Sequence, residues 1–314
     1  KKLRNKLLGG QKINEAVGSL FDIYEVKRGS SSQGSLLMTG YYQPRLQAAY
    51  EKGEGYKVPV LGVPRDLVRV RLRDFDTSLP AIDLWGMVRG QRLLPYYDRK
   101  AITWRLKKYP DIYPVLCWLR SPVDLLELQI QGSGIMVMDS GQERFIHYAA
   151  SNGRPYSSVG RILLKRGLLA RKDLDWPSIK AWAEENPKKF HAVLNENQRY
   201  VFFKWEKVGP IGCYGKVLVP GVSAALDKAI FPPGILVAVN TALPALNAYP
   251  AWLKTKDPEN ITLFLFNHDT GSAIKGPFRL DLYTGTGSEG GLLAGHLKNK
   301  ARFFVFIPKR ADNS

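Results

Sequence analysis

Cysteine is nearly absent. Cys117 and Cys213 are the only two in 314 residues. A disulfide framework is excluded, and the pair reads as two buried free thiols, since a bond would need the fold to bring them together. Histidine is as sparse: His147, His191, His268 and His296 are scattered with no metal-ligand spacing. No metal and no cofactor is expected. No run of about 18 apolar residues occurs, so there is no candidate membrane-spanning helix. No signal peptide opens the chain, and Lys1 in first place points to a trimmed or mature form. Acidic residues are also short, with 28 Asp and Glu against 46 Lys and Arg, a formal net charge of +18. That balance suits polyanionic surroundings such as nucleic acid, acidic lipid head groups or an acidic wall polymer. The cations are spread along the whole chain and no nucleic-acid motif is present, so nucleic acid is not an expected partner.

What is plentiful is turn chemistry. The chain holds 29 Gly and 20 Pro, and 45% of its residues are hydrophobic. Short apolar runs separated by Gly and Pro turns, with only a few helical stretches, predict a mainly β protein with some helices. Near-helical spacing from Leu3 to Ile23 predicts one or two amphipathic helices in residues 1–27. Strands are expected at Leu36 to Gln47, Lys57 to Val63, Leu67 to Leu72, Arg92 to Tyr97 and Tyr200 to Trp205. Trp176 to Glu196 reads as helix interrupted near Pro187. Gln129 and Gln131, spaced by two, are expected on one face of a strand, where their amides suit sugar hydroxyls or fix a turn.

The densest chemistry lies between Asp269 and Gly287. The apolar run Ile261 to Phe266 reads as a buried strand that delivers Asp269 at its end. After Pro277, Arg279-Leu280-Asp281-Leu282-Tyr283 alternates strictly. Arg279, Asp281 and Tyr283 should share one face, and Leu280 and Leu282 the other. An aromatic beside a carboxylic acid can hold a sugar and protonate its glycosidic oxygen. The same residues also read as turn and surface groups, with Arg279 and Lys275 as ion-pair partners. A short helix is expected from Glu289 to Lys298, its N-terminus turned to the glycine turn.

This stretch resembles the C-terminal motif of the membrane-bound lytic transglycosylase A family. The residues are Asp269, Gly271, Ala273, Ile274, Gly276, Asp281, Gly285, Gly287, Ala294 and Gly295. Thr39-Gly40-Tyr41-Tyr42-Gln43-Pro44, Pro95-Tyr96-Tyr97-Asp98-Arg99, Leu128 to Gly134 and Tyr148 to Gly160 resemble further segments of the family, and the likeness runs from about residue 36 to 308. Three positions depart from it. Val222 stands where Arg is usual, Ser121 where Asp is common and Gly290 where Ala is usual.

The resemblance implies a double-psi β-barrel catalytic domain, residues 1–46 and 204–314 with N-terminal helices. A β-rich domain, residues 47–203, is inserted in it as the other wall of a glycan groove. It implies cleavage of the β-1,4 bond between N-acetylmuramic acid and N-acetylglucosamine in peptidoglycan, without hydrolysis, leaving 1,6-anhydro ends. Asp281 is then the catalytic acid and base, and Asp269 a supporting carboxylate. Thr39, Tyr41, Tyr42, Gln129, Gln131, Ser133, Asp139, Ala273, Lys275, Arg279 and Tyr283 are the implied substrate contacts, with one of Tyr41 and Tyr42 expected in the groove. Arg279 is expected to pair with Asp269 or reach the substrate, not to clamp Asp281. Peptidoglycan strands are the expected partner of a monomeric, periplasmic protein held at the outer membrane by a lipid on an N-terminal cysteine that this chain does not contain. A cellulase-like glycoside hydrolase and a non-catalytic wall-binding module remain as alternatives.

Overall fold

The computed structural model describes residues 13–29, 36–171, 174, 176–247, 249–253, 257–271 and 273–309. The chain forms two compact units, Lys1–Tyr42 with Gly209–Ser314, and Gln43–Val208. Among the described residues no helix is long and apolar enough to cross a membrane.

The first unit is built from seven strands: β1 (Phe21–Glu25), β2 (Leu36–Gln43), β3 (Ser223–Ala225), β4 (Leu236–Thr241), β5 (Ile261–Asp269), β6 (Arg279–Thr286) and β7 (Lys298–Pro308). Their order is β1-β7-β4-β5-β3-β6-β2, and β2 also pairs with β7. That last pairing closes six strands into the barrel the resemblance implied, and closure removes the exposed edges of an open sheet. β1 hangs outside on β7, with Phe21 opposite Pro308. Residues 21–25 are thus strand, where apolar spacing predicts helix; only Ile13–Leu20 (α1) is helical among the described residues of that stretch. Pairing with β7 overrides a weak local preference.

Alternation fills the barrel. Leu280 and Leu282 are fully buried in one core with Leu36, Met38, Val237, Val239, Leu265 and Phe303. Helix α2 (Gly287–His296) closes against β2 and β6. The approach is close enough to demand glycine. A Cβ on Gly40 would lie 2.8 Å from Ala294 Cα, and one on Gly290 would lie 2.7 Å from the Gly285 carbonyl carbon. Gly290, which departs from the family's Ala, is therefore matched to this chain's own turn.

In the second unit, six strands run in the order Val201–Glu206, Glu143–Ser151, Ser133–Met138, Arg45–Ala49, Val115–Leu119, Val58–Leu61. A bridge between Gly62 and Phe203 joins the two outer strands. A smaller antiparallel sheet holds Val68–Arg71, Asp83–Arg89 and Arg92–Pro95. Helices begin where capping residues stand. Asp98 accepts from Ala101 N, Ser158 from Arg161 N and Ser121 from Val123 N. Aspartate would cap as serine does, which accounts for Ser121. The helical stretch at 176–196 does break at Pro187, into Trp176–Glu185 and Pro187–Glu196.

One expectation in this unit fails. Gln129 and Gln131 lie in the helix Pro122–Gln131, not in a strand, so they do not share a face. The Pro at the first helical turn and the left-handed Gly132 that ends it were the signals to read. The thiols are free, but only Cys117 is buried; Cys213 is exposed.

Candidate active site

The barrel unit brings both motif carboxylates to one short strand. Ala225 of β3 pairs with Asp269 of β5 on one side and with Asp281 of β6 on the other. Register partners point to the same face of a sheet. Ala224, one residue back, faces the core beside Leu282. Asp269, Ala225 and Asp281 therefore share the opposite, outer face, with the smallest side chain in the middle.

Asp281 is only partly exposed, and its neighbours decide its chemistry. Thr39 Oγ1 donates to Asp281 Oδ1 at 2.5 Å. Burial pushes its carboxyl up from 3.8 to about 6. The Thr39 hydrogen bond and the Arg279 charge work against that rise, and the charge of Asp269 works with it. Burial wins because an ionised carboxyl there loses water that one hydroxyl and one guanidinium do not replace. Arg279 does not clamp Asp281: its Nη2 donates to Thr39 Oγ1 at 3.4 Å. No ion pair of Arg279 with either Asp occurs among the described residues.

Asp269 is held by three donors. Oδ1 accepts from Cys213 N at 2.9 Å and Thr270 N at 2.8 Å, and Oδ2 accepts the Tyr41 hydroxyl at 3.0 Å. Three donors fix this carboxyl in place. Of the two adjacent tyrosines, Tyr41 is the one at the carboxylates. Tyr42 is buried, and a Cβ on Gly291 of α2 would lie 3.0 Å from its ring. Burial and Asp269 together raise the Tyr41 phenol well above its usual range, so it stays a donor. Tyr283 is fully buried behind Tyr41, ring centroids 5.4 Å apart, and offers no free face to a sugar. Ala273 is exposed. Lys275 is exposed too, 3.9 Å from Asp227.

Tyr41→Phe should lower kcat about tenfold with little change in KM, because one hydrogen bond to a charged carboxylate is lost while the ring remains. Steady-state kinetics on a soluble glycan checks it.

Several supports carried no recognisable signal in sequence. Asp227 accepts Gly276 N at 2.8 Å and Ala229 N at 3.1 Å, which pins the turn between the two carboxylates and lowers its own pKa. Buried Asn267 spans Leu226 N and the carbonyls of Phe231 and Pro232. Ser223 Oγ accepts from Val219 N and shares a hydrogen bond with His268 Nδ1 at 2.9 Å. Gly212 passes so close to the end of β5 that a Cβ would lie 2.3 Å from the His268 carbonyl oxygen. Gly212→Ala should therefore destabilise the protein by about 1–3 kcal/mol. It should also lower activity, since Cys213 N would be pushed from Asp269. Denaturant unfolding and a rate assay read both.

In the second unit the implied contacts are mostly structural. Gln129 is buried and accepts Arg99 Nη2 at 2.6 Å while donating to Val201 O at 3.3 Å. Arg99 also donates to the carbonyls of Asn197 and Arg199. Burial lowers its pKa to about 10, so it stays charged at neutral pH. Ser133 is buried and accepts Gln43 Nε2 at 2.8 Å. Asp139 lies exposed in a hairpin turn, where its side chain accepts Ser140 N. Gln131 is partly exposed at the helix end.

Two protein families match this chain. The MltA specific insert domain covers residues 37–204, more than half of the chain. The 3D domain covers residues 222–307, within the barrel unit. The chain belongs to the MltA family. The membrane-bound lytic murein transglycosylase A of Vibrio cholerae is 30% identical over 277 residues, 87% of this chain and 66% of the relative. The chain thus spans about two thirds of that relative's length. Among solved structures, MltA from Neisseria gonorrhoeae in a monoclinic form superposes with a TM-score of 0.78 at 29% identity, over 94% of this chain and 78% of that one. A membrane-bound lytic murein transglycosylase from Agrobacterium tumefaciens gives 0.77 at 28% identity with the same coverage. The mainly β architecture with an MltA insert and a 3D barrel is thus the family's own.

Proposed function

We propose that this protein is a peptidoglycan lytic transglycosylase. It cleaves the β-1,4 bond between N-acetylmuramic acid and N-acetylglucosamine and leaves 1,6-anhydromuramic acid ends without adding water. The observation that carries the reading is Asp281, a carboxyl held up to about 6 on the outer face of a barrel strand, in a chain of the MltA family.

One carboxyl serves both steps. Protonated Asp281 gives its proton to the glycosidic oxygen as the bond to the anomeric carbon breaks. The carboxylate left behind takes the proton of the muramic 6-hydroxyl, whose oxygen closes on the anomeric carbon. The nucleophile is already on the same sugar, so no water needs to be positioned. A hydrolase would need a second carboxyl to activate water or bond to the sugar. Asp269 is fully engaged by Tyr41, Cys213 N and Thr270 N, which suits a fixed negative charge near the cationic transition state better than a mobile base. Arg279, Lys275 and Ala273 are the remaining contacts for substrate on this unit. Gln129 and Ser133 act through the hydrogen bonds that shape their loop.

The protein works as a monomer on glycan strands in the periplasm. The full-length form is held at the outer membrane by a lipid on an N-terminal cysteine. The membrane-bound relatives support that location.

Digestion of purified murein sacculi with mass analysis of the products tests the reaction. Anhydro products, one water lighter than hydrolytic ones, are expected. Hydrated ends would mark a glycoside hydrolase, and retention without cleavage a wall-binding module.

A further inference from the structure

Thr39 sits among charged groups and touches both kinds. Its oxygen lies 3.4 Å from Arg279 Nη2 and 2.5 Å from Asp281 Oδ1. A guanidinium can only donate, so at that contact the hydroxyl must accept. The single hydroxyl proton is then free to point at Asp281. Its short distance is that of a hydroxyl on a carboxylate, the strong class of hydrogen bond. Oδ1 is thereby committed as an acceptor.

We infer that Thr39 is a positioning residue: it reserves Oδ1 of Asp281 and so places the transferable proton on Oδ2, the one oxygen that gives it to the leaving group and takes it back. This deepens the reading of Asp281 as acid and base and rests on it. The same oxygen serves both steps, so the carboxyl need not rotate between them. As the proton leaves, charge grows on the carboxylate and the Thr39 bond strengthens, with Arg279 behind it. Thr39 thus moves from an expected substrate contact to a group that acts through Asp281.

The other groups facing Asp281 are few. Thr39 and Tyr41 come from β2, Arg279 and Tyr283 from β6, and Asp269 from β5. β3 contributes only Ala225, and β7 places Lys298 opposite Thr39. Of the charges, Asp269 favours the protonated carboxyl and Arg279 the ionised one. Removing the hydroxyl strips the ionised form of a hydrogen bond and leaves these charges unchanged. The carboxyl must then hold its proton to higher pH.

Thr39→Val keeps the branched shape a strand prefers and deletes only the hydroxyl. Its pH–rate profile should show the falling alkaline limb displaced upward by about one unit, and a plateau kcat about tenfold lower, because the hydrogen bond that strengthens as the proton leaves is gone. KM should stay within about twofold, and Thr39→Ser should restore both features. An unmoved limb, or a raised KM with intact kcat, would overturn the inference and return Thr39 to substrate binding. Carbon-13 titration of the Asp281 carboxyl gives the same answer without catalysis: an upward shift in Thr39→Val supports the inference, and no shift sinks it even if the wild type releases no anhydro product. That last result would fall on the transglycosylase reading instead. If Thr39→Val does not fold, Thr39→Ala carries the test, because it too deletes the hydroxyl and must move the limb in the same direction; an unmoved limb there overturns the inference.

Discussion

Asp281→Asn should release no measurable anhydro-muropeptide from sacculi, a fall in kcat of about 10⁴-fold or more. General acid and base roles are each worth up to that magnitude, and here one side chain holds both. The substitution is close to isosteric. The amide oxygen can still accept from Thr39, so the β2–β6 contact survives. What disappears is the ability to give a proton and recover it. Glycan binding should survive too, so the variant should co-sediment with insoluble peptidoglycan as the wild type does. Activity within tenfold of wild type would reject Asp281 as the acid. The wild-type profile carries the complementary signature. With the carboxyl at about 6, the active protonated form dominates below that value. The rate should then fall about tenfold per unit above it.

How much of this was readable in the chain depends on the range of each signal. The β6 alternation is local, and it delivered Leu280 and Leu282 to the core and Asp281 to the outer face as the period demands. It could not tell that Tyr283 would be covered, because the cover is Tyr41, more than two hundred residues away. The short helix α2 after the glycine turn was legible, but the reason for Gly290, a carbonyl of Gly285 at contact, needs the folded turn. Gln129 was misread because its helix is short and rich in leucine and isoleucine; a short, largely buried helix and a buried strand look alike to periodicity. Here the flanking Pro122 and Gly132 were the better guide. Arg279 was expected at Asp269 or the substrate; it forms no ion pair with Asp269 among the described residues and donates to Thr39 Oγ1. Charge patterning names candidate partners but not which hydroxyl stands between them. Asp227 and Asn267 anchor loops by backbone donors and carbonyls, and no sequence spacing announces such bonds.

The raised carboxyl also sets a pH-dependent burden on the fold. In the unfolded chain Asp281 titrates near 3.8, and in the barrel near 6. Below 3.8 both states are protonated and the group is neutral to stability. Between the two values the unfolded chain ionises freely while the folded one cannot, so stability falls as pH rises, and the full loss is reached above 6. A gap of about two units corresponds to about 3 kcal/mol. Asp281→Asn removes the titration. The variant should therefore exceed the wild type in denaturant unfolding by up to about 3 kcal/mol at pH 7.5, with the difference shrinking to nothing near pH 4. A gain independent of pH would mean that the amide stabilises for another reason and that burial does not oppose the charge. A gain that follows this pH course, in the variant that has lost its activity, would mean that the folded state is held at lower stability by the same unfavourable ionisation that keeps a proton available for transfer.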